Sequence, residues 1–343
     1  MSWFSSNARI RTEERASNSD SGGAIMTRPR GRKPKIGLAI GAGSARGWAH
    51  IGVLRELEAS GIVPDVIAGT SIGAIVGGCH AAGKLGDIED FALGMTKRRM
   101  FSLMDFSFSG SGLISGARLK NRLDLTLQDT RIEDLPTKFS AVATEMGSGH
   151  EIWLNKGRLV DAIRASYALP GIFEPLKING RWLFDGALVN PVPVTVCRVL
   201  GAEIVIALNV NGDIRKPAVS EEAIAENALG EFKHEAEASQ QETSGFLPLL
   251  RNPASLFRRQ FAGGENGAPG IATAMVDAFN ITQDRIARSR LAGDPPDISI
   301  SPRLSGIGFF DFHRAAEMIA MGREAARKAL PDIREVLASA AAL

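Results

Sequence analysis

Cysteine is scarce in this chain of 343 residues, which has only Cys79 and Cys197. Both lie within apolar patterns of helical spacing, so we expect buried, reduced thiols and a reducing compartment. The sequence contains no C-x-x-C motif and no cluster of histidine and cysteine with the spacing of metal ligands. It also has no acidic loop of the D-x-D-x-D-G kind that binds calcium. The sequence therefore predicts neither a metal site nor a cofactor.

A strong net charge and a long apolar run are missing as well. The 40 basic and 38 acidic residues leave a net charge of +2, so no nucleic-acid partner is expected. The N-terminal region lacks the apolar segment of a signal peptide. The uncharged run at 66–82 approaches the length of a membrane span, but its glycines favour a buried α/β segment. We therefore expect a cytoplasmic protein.

The first 34 residues are polar and rich in serine, arginine and glycine, which predicts a disordered arm. A basic cluster precedes the first predicted strand and consists of Arg28, Arg30, Arg32, Lys33 and Lys35. This cluster is either a solvated arm or a peripheral contact with anionic lipid headgroups on the inner face of the membrane. The sequence leaves both alternatives open.

Strand-like and helix-like patterns alternate along most of the chain. This alternation predicts a three-layer α/β fold, with a mostly parallel central sheet and helices on both faces. The predicted strands are 35–40, 66–69, 139–144, 151–154, 181–184, 203–209 and 297–301. The predicted helices are 46–60, 72–82, 86–101, 158–167, 193–200, 271–291, 311–330 and 332–341. We expect a catalytic domain at 35–330 and a separate C-terminal helix at 331–343.

Residues 211–270 interrupt the alternation. Their periodicity is weak, and a connection of this length is usually functional or disordered, so we expect a flexible insertion. Within it, residues 246–261 mix phenylalanine and leucine with arginine. This segment is either a helix packed on the domain or an amphipathic lid that enters a lipid interface.

The most informative motif is the pentapeptide G-T-S-I-G at 69–73, which has the form G-x-S-x-G. A predicted strand precedes it and a helix of small residues follows it, which is the context of a nucleophile elbow. Gly69 and Gly73 leave room for the strained turn. The hydroxyl of Ser71 would stand at a helix N-terminus, which favours negative charge. The alternative is a glycine-rich connection in which a hydroxyl merely caps the helix.

A second glycine-rich loop, G-A-G-S-A-R-G at 41–47, lies upstream of Ser71. Such a loop can direct successive backbone N–H groups at one anion. Its spacing does not fit a dinucleotide-binding loop, and no Lys-Ser/Thr pair follows, so an oxyanion hole is favoured. The expected donors are the amides of Gly43 and Ser44, with Ala42 as a third. Arg46 either helps to fix the loop or attracts a lipid phosphate, or it forms only a structural salt bridge.

The third motif is D-G-A at 185–187, which alone would indicate only a turn. In this order the three motifs resemble those of the patatin-like phospholipase family, whose members use a Ser–Asp dyad. The flanks at 46–54 and 165–173 match too, and 311–322 resembles the closing helix of the bacterial branch. The resemblance covers roughly 35–210 and 271–330. Ala42 and Ser44 stand where many members have glycine.

The resemblance implies a lipid acyl hydrolase of the phospholipase A or lysophospholipase type, acting on a lipid ester. It implies that Asp185 takes the proton of Ser71 and that an acyl-serine forms before water releases the acid. Supporting roles follow for the motif residues Arg46, Gly47, Gly69, Gly73 and Gly186.

Several alternatives stay open. The same elbow would serve acyl transfer to an acceptor other than water, and the fold would also suit a non-catalytic lipid-binding or regulatory module. In a Ser–acid–His triad only His234 and His313 follow Asp185 in the required order, and we expect a surface or packing role for each. The oligomeric state does not follow from the sequence.

Overall fold

A computed structural model describes residues 33–103, 112–114, 116–212 and 271–342 of the chain. Four features discussed above lie outside these residues: most of the N-terminal arm, the insertion from residue 213 onward, His234 and the segment 246–261. The predictions made for them stay predictions.

An eight-stranded sheet forms the centre of the described structure. The described residues form ten strands, of which all but β3 and β6 belong to this sheet. They are β1 (Ile36–Ile40), β2 (Val66–Thr70), β3 (Gly112–Ile114), β4 (Lys138–Glu145), β5 (Glu151–Leu154), β6 (Gly171–Phe173), β7 (Leu176–Ile178), β8 (Arg181–Asp185), β9 (Ile204–Leu208) and β10 (Ile298–Ile300). The order in the main sheet is β10-β9-β1-β2-β4-β8-β7, with β5 also paired to β4. From β10 to β4 the strands are parallel, whereas β5, β7 and β8 pair antiparallel. β3 and β6 form a separate parallel pair.

Helices cover both faces of this sheet. They are α1 (Trp48–Ala59), α2 (Ile72–Ala81), α3 (Leu85–Leu93), α4 (Lys97–Leu103), α5 (Ala117–Leu127), α6 (Leu159–Ser166), α7 (Val194–Val199), α8 (Ile271–Gly293) and α9 (Ala315–Ala342). Side chains alternate between the faces of a strand, and on β1 Leu38 and Ile40 pack into the cluster that contains α1, α2 and α9. Ala39 packs into the opposite cluster with α7 and α8. The three-layer α/β prediction is therefore confirmed.

Some predicted elements differ from the structure. The stretch predicted as one helix at 86–101 is divided into α3 and α4, and α3 is capped by Gly94. Helix α5 was not predicted from the sequence, because only Leu123 and Leu127 of this charged segment are buried. The separate helix predicted at 331–343 is wrong, because α9 runs through Pro331 without a break. Proline costs a backbone hydrogen bond there, and burial of Leu330 and Ile333 on either side holds the helix in place.

The long helix α9 crosses α1 at backbone contact distance. A Cβ atom at Gly52 of α1 would lie 1.9 Å from the carbonyl oxygen of Ile319. A Cβ atom at Gly322 of α9 would lie 2.0 Å from the carbonyl oxygen of Ala49. The two helices can approach this closely because Gly52 and Gly322 have no side chains. We call this contact the glycine crossing.

Substitution of Gly322 by alanine is expected to destabilise the protein by about 1–3 kcal/mol, because a backbone contact has no room for a methyl group. Thermal unfolding checks this, with Gly293→Ala as the matched control. A Cβ atom at Gly293 meets nothing within 4 Å, so the control should melt at or above the wild-type temperature. Equal melting temperatures for Gly322→Ala and wild type would contradict the tight crossing.

Cys79 and Cys197 are free and buried, as expected. Burial raises the pKa of each thiol to about 12, so both are protonated and poorly reactive at neutral pH. In the described ranges, no group of three or more histidine, cysteine or acidic side chains is placed to hold a metal ion. None of the described helices combines the length and the apolar character that crossing a bilayer requires.

Candidate active site

Ser71 occupies a sharp turn between β2, which ends at Thr70, and α2, which begins at Ile72. Its backbone has φ 58° and ψ −123°, a strained conformation for a residue with a side chain. The N–H of Ser71 donates to the hydroxyl of Ser166 at 2.9 Å. Ser166 in turn donates to the carbonyl of Val142 at 2.6 Å. These bonds fix the strained turn to the neighbouring strand β4.

The two glycines of the pentapeptide make the turn sterically possible. A Cβ atom at Gly69 would lie 2.5 Å from the carbonyl oxygen of Gly73. A Cβ atom at Gly73 would lie 2.2 Å from the carbonyl oxygen of Ile40. Because both contacts involve backbone atoms, a larger residue at either position would displace the turn and with it Ser71.

Asp185 lies at the end of β8, and its side chain meets Ser71. The hydroxyl of Ser71 donates to Oδ2 of Asp185 at 2.6 Å. Oδ1 accepts from the N–H of Ala187 at 2.8 Å. A Cβ atom at Gly186 would lie 2.2 Å from the carbonyl oxygen of Val142, so the D-G-A turn packs directly on β4. Both carboxylate oxygens are therefore fixed, one of them on the hydroxyl.

The environment of Asp185 changes its acidity. The residue is 2% exposed, and burial raises the pKa of its carboxyl group to about 7, an increase that the hydrogen bonds from Ser71 and Ala187 limit. A carboxylate with an ordinary pKa near 4 would be a weak base at neutral pH. With a pKa near 7, Asp185 can accept and return a proton under physiological conditions.

The glycine-rich loop follows β1 and leads through a short 3₁₀ turn, Ser44–Gly47, into α1. The expectation that Ala42 contributes to an oxyanion hole is wrong, because its N–H donates to the carbonyl of Pro191 at 2.9 Å. The amides of Gly43 and Ser44 have no hydrogen-bond partner within the described part of the chain. Ser44 lines the same cavity as Ser71 and Asp185. These two amides are thus not engaged by the described backbone, and Ser44 places at least its own at the cavity.

Arg46 is buried beneath this loop, at 2% exposure. Its Nε donates to the carbonyl of Ile307 at 3.0 Å, and its side chain also donates to Oδ1 of Asn211 at 3.3 Å. Asn211 Nδ2 donates to the carbonyl of Ala42 at 2.9 Å. Burial lowers the pKa of the guanidinium group, and the charge of Asp311 opposes this shift. Of the roles considered for Arg46, the structure supports fixing the loop.

Two further contacts hold the loop from below. Nε2 of His50 lies 2.8 Å from the carbonyl oxygen of Gly41. Burial lowers the pKa of His50 to about 4, so the ring is neutral at physiological pH and Nε2 donates its hydrogen. A Cβ atom at Gly47 would lie 2.2 Å from the side chain of Ile72, which places the loop on the start of α2.

An apolar cavity of about 150 Å³ opens beside Ser71 and Asp185. Its lining is dominated by aliphatic and aromatic side chains: Trp48, Ile72, Ile75, Ile88, Phe91, Met95, Met100, Leu119, Tyr167, Leu169, Ile172, Phe173, Phe279, Phe309, Phe310 and Phe312, with Ser44 and Gln283. A hydroxyl–carboxylate pair at the wall of such a cavity is suited to an ester with a long apolar acyl group.

No histidine of the described residues hydrogen-bonds to Ser71 or Asp185. His313 lies in a 3₁₀ turn directly before α9, where burial lowers the pKa of its ring. Sequence reasoning missed Ser166, Asn211 and the supporting bond of His50. Ser166 and Asn211 act through partners far away in the chain, whereas His50 bonds to Gly41 nine residues earlier, and no known motif marks any of the three.

The chain is similar to several known proteins. The profile of the Patatin-like phospholipase family matches residues 38–198. An uncharacterized NTE family protein of Mycobacterium tuberculosis is 34% identical over 332 residues, covering 87% of this chain and 91% of that protein. A patatin-like phospholipase domain-containing protein of Caenorhabditis elegans is 35% identical over 181 residues, covering 51% of this chain and 13% of that protein.

One further match covers about half of this chain, and one solved structure has a low sequence identity. Lysophospholipase nte1 of Emericella nidulans is 30% identical over 190 residues, covering 51% of this chain and 12% of that protein. Among solved structures, VipD from Legionella pneumophila is 13% identical with a TM-score of 0.44, covering 90% of this chain and 72% of that one. The identity and coverage of the mycobacterial relative, together with the matching family profile, decide the assignment. The chain belongs to the patatin-like phospholipase family.

Proposed function

We propose that this protein is a serine acyl hydrolase of the phospholipase A or lysophospholipase type, with Ser71 as nucleophile and Asp185 as general base. One observation carries the proposal: Ser71 Oγ donates to Asp185 Oδ2 at 2.6 Å beside an apolar cavity. Membership of a family of lipid hydrolases supports the reaction class.

The first half of the reaction forms an acyl-enzyme. Asp185 takes the hydroxyl proton while Ser71 Oγ attacks the ester carbonyl carbon, and negative charge develops on the carbonyl oxygen. The amides of Gly43 and Ser44 stabilise that charge, and one such donor is typically worth about 3–4 kcal/mol. When the tetrahedral intermediate collapses, the carbon–oxygen bond to the alcohol breaks and Asp185 returns the proton to the leaving alkoxide.

The second half releases the acid. Asp185 takes a proton from a water molecule, which attacks the acyl-Ser71 carbonyl and is met by the same two amides. Collapse of this second intermediate returns the proton to Ser71 Oγ and frees the fatty acid. Throughout, the acyl chain lies among the apolar side chains of the cavity, such as Ile75, Phe91 and Met95.

The activity is expected to follow the ionisation of Asp185. Because its pKa is raised to about 7 and the base must be unprotonated, kcat/KM should fall about tenfold for each pH unit below 7. Hydrolysis of a short-chain nitrophenyl ester between pH 5 and 9 measures this profile. An enzyme that stays fully active down to pH 5 would contradict a base with a pKa near 7.

A labelling experiment tests the function directly. A fluorophosphonate probe should react with the wild-type protein, and peptide mapping should locate the adduct on Ser71. Assays with phospholipids, lysophospholipids and neutral glycerolipids, each with and without a chelator, then establish the substrate class. Absence of labelling together with absence of ester hydrolysis would refute the proposal.

Peripheral contact with an anionic membrane surface is part of the same proposal. Besides the basic cluster of the sequence, the described structure exposes Trp182 to 48%, with Lys177 Nζ 5.6 Å from its ring. An exposed tryptophan beside a cation suits the headgroup region of a bilayer. Sedimentation should show stronger binding to vesicles that contain anionic lipid than to zwitterionic vesicles, and equal binding would contradict the contact.

A further inference from the structure

Helix α8 lies beyond the residues matched by the family profile, and it forms one wall of the cavity. Its buried inward face consists of Val276, Asn280, Gln283 and Ala287, which recur at the spacing of one helical stripe. The two ends of this stripe pack as expected, Val276 with Leu169 and Ile172, and Ala287 beneath the sheet. The middle of the stripe consists of two amide side chains.

Three atoms of these amides are buried without a hydrogen-bond partner in the part of the chain that the structure describes. Gln283 is 2% exposed and its Nε2 has no partner. Asn280 is 6% exposed, and neither Nδ2 nor Oδ1 has a partner. Buried polar groups are nearly always hydrogen-bonded, because an unpaired one destabilises the fold. Leucine or methionine would cover this stripe without that cost, so the amides point to a ligand.

The position of Gln283 indicates which part of a substrate it meets. Gln283 lines the same cavity as Ser71 and Asp185, and α8 packs against the turn Gly186–Leu188 that follows Asp185. The wall formed by α3, α4 and α5 is apolar, with Ile88, Phe91, Met95, Met100 and Leu119 facing the cavity. An acyl chain therefore belongs on that wall, and the alcohol part of the ester is left beside α8.

We infer that Gln283 binds the glycerol unit of the leaving alcohol. This inference rests on the proposed function. An amide offers both donors and an acceptor, which matches hydroxyl and ether-like oxygens. The cavity lining includes no lysine or arginine among the described residues, so the site fits an uncharged polyol and not a phosphate. Gln283 is thus a specificity-determining residue for monoacyl glycerolipids.

The test compares esters that share one acyl chain and differ in the alcohol: a monoacylglycerol, a lysophosphatidylcholine and a methyl ester. In Gln283→Met, which keeps the length of the side chain, kcat/KM should fall about tenfold or more for both glycerol esters, as expected for a lost hydrogen bond. The methyl ester should be hydrolysed at the wild-type rate. The melting temperature should stay equal or rise, because an unpaired buried amide is removed.

Thr282→Val, on the exposed side of α8, is the matched control that changes nothing. A drop in melting temperature with equal loss on all three esters would assign Gln283 to packing and overturn the inference. Unchanged hydrolysis of the glycerol esters by Gln283→Met would also overturn the inference. In that case the proposed function would still hold if cleavage of the methyl ester depended on Ser71. If wild type cleaved none of the three esters, both would fail.

Discussion

Replacement of Ser71 by alanine is expected to lower the rate of ester hydrolysis on the order of 10⁴–10⁶-fold, the range known for loss of a serine nucleophile. No other hydroxyl of the described residues donates to the carboxylate of Asp185, since the hydroxyl of Thr144 donates to the backbone carbonyl of that residue, so no substitute nucleophile is in place. The rate is measured on a soluble short-chain ester and on a lipid ester, so that binding to an interface does not mask the chemical step.

The fold should survive this substitution. Alanine tolerates the φ of 58° about as well as serine does, and the N–H that bonds to Ser166 is retained. Ser140→Ala is the matched control, because Ser140 is a buried serine on β4 whose hydroxyl has no partner among the described residues; it should keep full activity. More than a few per cent of wild-type activity in a folded, contaminant-free Ser71→Ala sample would refute a serine mechanism.

Asp185→Asn is expected to be about as damaging as Ser71→Ala. The asparagine amide can still contact Ser71, but it cannot take a proton. Because the two groups act as one unit, the double variant should be scarcely slower than either single variant. Assays of the three variants under identical conditions check this, and additive losses would show that the two residues act independently.

His313→Ala separates a dyad from a triad. His313 is the histidine after Asp185 that the structure describes, and no hydrogen bond joins it to Ser71 or Asp185. The variant should therefore retain nearly all activity. If His313→Ala lost as much activity as Ser71→Ala, His313 would be the base and Asp185 its partner.

The Asp185→Asn variant also has a stability signature. The carboxyl group ionises near pH 3.8 in the unfolded chain and near 7 in the folded protein. Between these values the unfolded state holds fewer protons, so wild-type stability falls as the pH rises from about 4 to about 7. Asparagine does not ionise, so the Asp185→Asn variant does not lose stability in this way as the pH rises. The melting temperature of Asp185→Asn relative to wild type should therefore increase from pH 5 to pH 8.

Local patterns were enough to predict most of the sheet and the Ser71 turn. The buried strands β1 and β9 are continuous apolar runs of five residues, and β2 is an apolar run that ends in Thr70, a pattern typical of parallel strands covered on both faces. The elbow is likewise encoded within a few residues, because its glycines clear space for backbone that lies close in sequence or on the adjacent strand.

Contacts between distant parts of the chain could not be predicted in this way. The amide of Ala42 cannot bind an oxyanion, because it donates to the carbonyl of Pro191. The sequence of the loop itself does not indicate that contact. Whether Arg46 meets a lipid or a backbone carbonyl depends on where Ile307 is placed. The continuity of α9 through Pro331 is a result of packing on the core, which outweighs the local preference of proline.

The glycine crossing of α1 and α9 bears on how the protein is made. During synthesis, Ser71 and Asp185 leave the ribosome long before Gly322, and the N-terminal part of a chain begins to fold first. Until α9 arrives, α1 lacks the helix that packs against Gly52, and Arg46 lacks the carbonyl of Ile307. A nascent chain therefore contains the proposed catalytic pair before the loop with the proposed oxyanion donors is held in place. We therefore expect that the chain hydrolyses surrounding lipids only after α9 has docked on α1.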